Sequence, residues 1–261
     1  MNRRERARRE RRGRRISVAS VAALLLLWEL GARAGVVYEL AFPAPTAIAA
    51  EVAALMGGID FWRHLGATLA RTSLGAVLGG APALLAGLAM GWSSRVRAAL
   101  DPIVAAIHPL PKIAVLPLLM VIFGIGETSK VIAIALGASF PILLNAAAGV
   151  RQISPLHFDV VRSYGGSRRK LFTRVVLPGA LPFVLTGLRL SLNVALLISI
   201  AVELVASPTG LGRLIWLSWE TLRVERLYAV LVVLSALGVA INLALGRLAR
   251  RLAPWQPSIA A

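Results

Sequence analysis

Chemistry needs polar groups brought together, and this chain offers few. One carboxylate, Glu203 in ISIAVELVAS, stands inside a long apolar run. At the centre of a membrane-spanning helix a carboxylate costs roughly 2.5–3.5 kcal/mol on insertion scales, so such groups face a cavity, a partner or the interface. With a helix beginning near Pro182, Glu203 lies about 30 Å along it, at the edge of a bilayer core. Ser199 and Arg189 each lie about 40° from it around the helix, and Asn193 about 80°. Asn193, Ser199 and Glu203 are therefore candidates for lining a solute pathway, with structural hydrogen bonding the equal alternative. Arg189 sits close enough to the inner face for its charge to reach the headgroups along a long apolar stem.

Other chemistries find little support. There is no cysteine, and the three histidines are scattered, so no metal-ligand spacing occurs. His108 precedes a proline-rich stretch, where capping or bonding a freed carbonyl is the expected role. GIGETSK, Gly124–Lys130, superficially resembles a phosphate-binding loop but lacks the Gly-Lys-Ser/Thr ending. No catalytic group is expected.

The elements that must position these residues follow from composition. Of 261 residues 57% are apolar and 16% charged, and the mean hydropathy is +0.75. Soluble domains carry about a quarter charged residues, so an integral membrane protein is implied and disorder excluded. The net charge of +17 would suggest nucleic acid in a soluble protein, but here it falls in blocks between apolar runs. Six runs are long enough to cross: Ile16–Val37, Leu65–Trp92, Ile103–Phe123, Val131–Val150, Leu181–Ala206 and Leu227–Leu245. In the third, Pro109, Pro111 and Pro117 predict a kink or break, and Lys112 points to a protein-lined or watery setting. The second is long enough for Arg71 to snorkel from its outer end. Ala41–Gly58 is too short and broken to cross, and predicts a helix along the membrane face.

Charge asymmetry sets the expected orientation. Residues 1–15 hold nine arginines and two glutamates. Arg95 and Arg97, the Arg151–Ala180 segment, and Arg247, Arg250 and Arg251 fall on the same side, while the intervening segments are nearly balanced. The positive-inside rule then places both termini in the cytoplasm. The arginine tail reads as a solvated orienting segment rather than an RNA- or lipid-binding arm. Ala32-Arg33-Ala34 is a faint cleavage site, and an uncleaved first helix is expected. In the second span Gly75, Gly79, Ala83, Gly87 and Gly91 recur every four residues, a face for close helix approach within the subunit or across a dimer.

The basic loop Ser154–Pro182 predicts two short amphipathic helices around a glycine. Ser154 and Pro155 start the first, Gly165-Gly166 stop it, Ser167 caps the second, and that helix is expected to finish before Leu177-Pro178. Phe158, Val161, Phe172, Val175 and Val176 form the apolar face.

At these residues the chain resembles the inner-membrane permease subunits of bacterial ATP-binding-cassette importers. Their docking signature is an acidic residue with two small residues, three positions, a glycine, nine positions, an aliphatic residue, one position and Leu-Pro. Asp159-Val160-Val161, Gly165, Val175 and Leu177-Pro178 stand at those places. FPAPTAI, HPLPKIAVLPLLMVIFGIGETSK, FPILLNAAAGV and RVVLPGALPFVLTGLRLSLN resemble the nitrate/sulfonate/taurine-type branch, over about residues 42–251. Val160 and Val161 depart from the usual two alanines, which implies a partner groove matched to this chain.

The resemblance implies an all-α, six-span permease of the type I importer fold in the bacterial inner membrane. It would have a tail (1–15), a first span (16–37) and a permease domain (62–251) with docking loop 151–180. It implies a homodimer, two ATPase subunits that bind the ATP and Mg, and a periplasmic or lipid-anchored solute-binding protein. No cofactor is expected in this chain and no nucleic acid partner, only lipid. The solute would be small, anionic and sulfonate-, nitrate- or taurine-like. A nucleotide-independent secondary transporter or channel is the alternative, and it would need paired half-repeats or ion ligands within the membrane. A membrane anchor with a nucleic-acid-binding arm would explain the tail but not the loop.

Overall fold

The computed structural model describes residues 3–36, 38 and 41–255, with side chains from Gly13 and Arg15 onward. The arginine side chains of the tail up to Arg12 and that of Arg14, the predicted end of the first span at Val37, and Glu39 lie outside the described residues. Every regular element is helical among the described residues: α1 (Arg3–Arg33), α2 (Pro45–Gly57), α3 (Ile59–Trp92), α4 (Ser94–Ile107), α5 (Leu116–Phe123), α6 (Glu127–Arg151), α7 (Pro155–Ser163), α8 (Arg168–Leu171), α9 (Leu177–Ala206), α10 (Leu211–Glu220) and α11 (Val224–Leu252). Among the described residues, five helices are long and apolar enough to cross a membrane, or six when α4 and α5 count as one broken span. The break falls where the prolines predict it, at 108–111, and the two arms are bent by 85°.

Two compact units arise. The first takes the described residues up to Phe61 together with Ile215–Val233, the second Trp62–Leu214 and 234 onward. In the first unit Glu29 of α1 accepts from the Thr46 amide (3.0 Å) and hydroxyl (2.8 Å) at the start of α2. Arg226 donates to Glu51 at 2.9 Å, and Trp28 lies against Tyr228. These contacts tie α2 into its unit, consistent with a helix too short to cross.

The second unit is built on α3, α6 and α9, and glycine sets its spacing. A methyl on Gly75 would strike Ile134, one on Gly79 the Ala135 backbone, one on Gly87 the Leu143 carbonyl, and one on Gly91 Val150. The small face of α3 therefore packs on α6 of the same chain, the two running in the same direction. Gly137 and Gly149 of α6 and Gly187 of α9 do the same between these antiparallel neighbours. Backbones this close maximise dispersion where lipid supplies no hydrophobic drive. Ala76, Leu116, Leu119, Ala133, Ile134, Ala138, Ala195, Ile198 and Val202 form the core at one end, and Leu88, Ala146, Val150, Val176 and Ala180 the core at the other.

Three local expectations are corrected. The second loop helix does not finish before Leu177-Pro178: α8 passes through one wide π-type turn, Phe172–Val176, straight into α9. Pro178 has no N–H to give, and an i→i+5 turn is a way to widen the helix around that gap without ending it. Ser154 makes no side-chain cap, and its carbonyl instead accepts from His157 at 3.1 Å. At the broken span Lys112, not His108, takes the freed carbonyls: its ammonium donates to those of Ile107 and His108 and sits 4.7 Å over the Phe140 ring. The His108 ring packs edge-on against Phe140.

Candidate functional site: two ends of one helix

The two sets of candidate residues lie at opposite ends of α9. At its C-terminal end, Glu203 is wholly buried and both its oxygens are taken. Oε1 accepts from Arg71 at 2.9 Å and Ser199 at 3.4 Å; Oε2 accepts from the Thr68 hydroxyl at 2.8 Å and the Gly212 amide at 3.0 Å. Glu203 is thus sealed inside the protein, whatever its depth along the span.

Arg71 is corrected in the same way. It is 4% exposed and does not snorkel. Its Nε and one terminal nitrogen form a fork on Glu127 at 2.6 and 2.8 Å. Its other contacts are Glu203, the Thr209 carbonyl (2.7 Å) and the Thr209 hydroxyl (2.8 Å). Lys130 completes the set, donating to Glu127 at 3.1 Å and to the Ser207 hydroxyl at 3.3 Å. The elements explain the convergence. His64, Thr68 and Arg71 are one face of α3 at i, i+4 and i+7; Glu127 and Lys130 share the first turn of α6; Ser199 and Glu203 are i, i+4 on α9.

The segment after α9 wraps this cluster. Gly210 has φ +121° and its amide donates to His64 Nδ1 at 2.9 Å. A side chain there would meet the Glu203 carboxylate, and one on Gly212 the Ile200 carbonyl. Leu211 donates its amide to Thr68, whose hydroxyl in turn donates a hydrogen bond to Glu203. Buried charge this well satisfied is fixed in place, since removing either partner strands the other in a low-dielectric site. Sequence reasoning missed Thr68, Arg71, Glu127, Lys130 and Thr209 as a unit. The available signal was an arginine within a span, which demands an anionic partner, together with the Glu127–Lys130 pair in a nearby turn.

Asn193 stands apart from this cluster. It exchanges side-chain hydrogen bonds with Asn242 of α11, at 3.4 and 3.3 Å. The structure therefore brings Ser199 and Glu203 together and places Asn193 on a different seam of α9.

At the other end of α9 the picture inverts. Gly165 has φ +67°, the left-handed geometry that ends α7, and Gly166 donates its amide to the Val161 carbonyl at 2.8 Å. Ser167 caps α8, accepting from Lys170 at 3.4 Å. Phe158 and Phe172 pack on Trp92 at the end of α3, with ring centroids 6.2 and 5.9 Å apart, which anchors the loop. Val175 and Val176 are buried beneath it, Val161 is half-buried, and Leu177 is partly exposed ahead of Pro178. What remains outward is Asp159, in a 3.4 Å exposed pair with Arg162, and Val160. Val160 belongs to a stripe that sequence reasoning overlooked: Leu156 (68% exposed) and Val160 (49%) on α7 and Tyr164 (89%) at its C-cap recur every four residues. Around it stand the exposed cations Arg162, Arg168, Arg169, Lys170 and Arg174. Helical spacing of a second apolar stripe, opposite Phe158 and Val161, was the signal to follow.

Long apolar helices locked by internal charges, with an exposed helical loop between two of them, describe a polytopic membrane protein. Residues 83–255 match the family described as binding-protein-dependent transport system inner membrane component. The taurine transport system permease protein TauC of Escherichia coli (strain K12) is 36% identical over 252 residues, spanning 94% of this chain and 90% of that one. The permease protein SsuC of Bacillus subtilis (strain 168), named for a provisional role in aliphatic sulfonates transport, is 31% identical over 237 residues, 91% of this chain and 86% of its own. Among solved structures, an inward-facing form of the MetNI methionine ABC transporter superposes with TM-score 0.61 at 22% identity, over 73% of this chain and 94% of that one. The chain belongs to the family of binding-protein-dependent transport inner-membrane components, and its fold is that of an ABC importer permease. It is a multi-pass membrane permease subunit, a transport component that is not itself an enzyme. Membership implies ATPase and solute-binding partners.

Proposed function

We propose that the chain imports a small sulfonate-type solute such as taurine, acting as a homodimer with two ATPase subunits and an external solute-binding protein. The solute class rests on the taurine permease likeness, which spans nearly the whole of both chains. The ATPase subunits bind the ATP and Mg; this chain holds no cofactor. The basic blocks support cytoplasmic termini and a cytoplasmic 151–180 loop.

The observation that carries the coupling is the architecture of that loop. Asp159, Val160 and Val161 ride on α7, set at a fixed angle by the left-handed Gly165, and α8 runs without an end into α9. The Leu156–Val160–Tyr164 stripe gives an ATPase groove an apolar ridge to grip, and the basic rim gives it orientation. A push on α7 is then delivered through Val175, Leu177 and Pro178 to the helix that carries Asn193, Ser199 and Glu203. In this reading Ser199 and Glu203 govern the pathway by holding its far end closed, and Asn193 lies where solute passes the α9–α11 seam.

The test is binding-protein-stimulated ATP turnover in reconstituted membranes, with co-purification of the ATPase. Asp159→Lys is expected to weaken ATPase recovery by charge and shape, and Leu156→Asp to weaken it by burying a charge in an apolar groove. Wild-type assembly and stimulation in both variants would remove the loop as coupling element.

A further inference from the structure

The α9–α11 seam, where Asn193 lies, also carries two arginines that the import reading leaves unused. Along the facing sides of α9 and α11, Asn193 pairs with Asn242; one turn towards the loop Arg189 faces Gly246; one turn further stands Arg250. Gly246 opens a small volume that two cations share: from the position its Cβ would occupy, an Arg189 terminal nitrogen is 3.6 Å away and one of Arg250 is 3.8 Å away. Neither arginine has a carboxylate at ion-pair distance among the described residues. The Arg189 Nε is buried without an acceptor. Arg71, by contrast, has every face of its guanidinium satisfied.

A buried N–H on a charged group left without an acceptor is costly, and two guanidiniums turned on one volume repel until an anion joins them. Guanidinium forks match tetrahedral oxyanions in geometry, offering parallel N–H donors to two oxygens at once. The amide pair one turn deeper adds polarity at the closed end, while exposed Arg250 leaves the other end open. The geometry points to an oxyanion site in the α9–α11 seam, formed by Arg189 and Arg250 across Gly246, that takes a phosphate- or sulfonate-type group. The group arrives either on an anionic phospholipid or as a free solute. Arg189 stands about 12 Å along α9 from Leu181, where the expected span begins, short of the bilayer centre and open to a headgroup from the membrane face or a solute from within.

Binding is read on the purified full-length permease in neutral detergent, so a negative result leaves the importer assignment standing. Thermal shift is titrated with phosphatidylglycerol against phosphatidylcholine in one arm and with inorganic sulfate against chloride of equal ionic strength in the other. Saturable binding of at least one anion is expected. Arg189→Gln and Arg250→Gln should each raise its Kd at least about tenfold, the loss of one charged hydrogen bond. Gly246→Val, which fills the shared volume, should do the same even if Arg189→Gln folds poorly. Arg247→Gln, an exposed arginine beside the glycine, should bind as wild type. Lipid binding without sulfate binding assigns the site to a headgroup, and the reverse assigns it to a solute. No saturable binding in either arm, or equal weakening by Arg247→Gln, overturns the site.

Discussion

The two ends of α9 treat charge in opposite ways. At Glu203 the charged and hydroxyl groups of α3, α6, α9 and the 207–212 segment answer one another, with Arg71, Lys130 and Glu203 buried and Glu127 at the exposed edge. At the loop, Asp159 and five cations stand in solvent, and an apolar stripe is left uncovered. A buried ionic cluster contributes little net energy over an apolar core but penalises any rearrangement that separates its members. An exposed one contributes almost nothing until a partner removes the water. One end holds its geometry with internal bonds; the other leaves an apolar stripe and its cations uncovered, as the proposed docking requires.

That contrast can be broken in order of expected effect. The largest change is Arg71→Ala, which strands the buried Glu203 and should cost about 3–5 kcal/mol, read as a large drop in thermal stability of the purified permease. Replacing Arg71 and Glu203 together by Met should recover much of that loss; a single variant as stable as wild type would show the cluster is not structural. Next, Gly79→Val forces α3 away from the Ala135 backbone and should cost about 1–3 kcal/mol by overpacking, checked by the same melt. At the loop end, Gly165→Val strains one residue by about 1–2 kcal/mol and leaves the spans unchanged. Insertion should be normal while transport-coupled ATP turnover is lost. Smallest in stability is Tyr164→Ala, expected to shift the melt by no more than about 0.5 kcal/mol at so exposed a site, yet to reduce ATPase recovery. Were Tyr164→Ala to destabilise the permease alone, the uncovered stripe would be a packing surface rather than a docking one.

Local signals in the sequence read well. Span length, the proline break at 108–111 and the left-handed stop at Gly165 each depend on a few consecutive residues, and each stands where expected. The fate of α8 was harder, because a proline ordinarily marks a helix boundary and only the wide turn at 172–176 shows how the chain evades that rule. The Ala83-centred small face announced a close helix but not which helix, since periodicity describes one surface and not its complement. Glu203 was least legible. Its partners Thr68 and Arg71 lie more than 130 residues away in sequence, and the hydrogen bonds that decide its burial exist only after α3, α6 and α9 have packed.

The unbroken run from Arg168 to Ala206 makes α9 a lever arm. A tilt of about 5° at the wide turn of 172–176 swings the far end, some 43 Å away, by about 4 Å. That stroke is longer than a hydrogen bond, so Glu203 cannot follow α9 while Arg71 stays behind with α3. Either the three helices travel as one rigid wrench, or the stroke ends where the arginine refuses to let go. Under the proposed coupling, the mechanical range of the subunit would be set at the end of the helix farthest from where the force is applied.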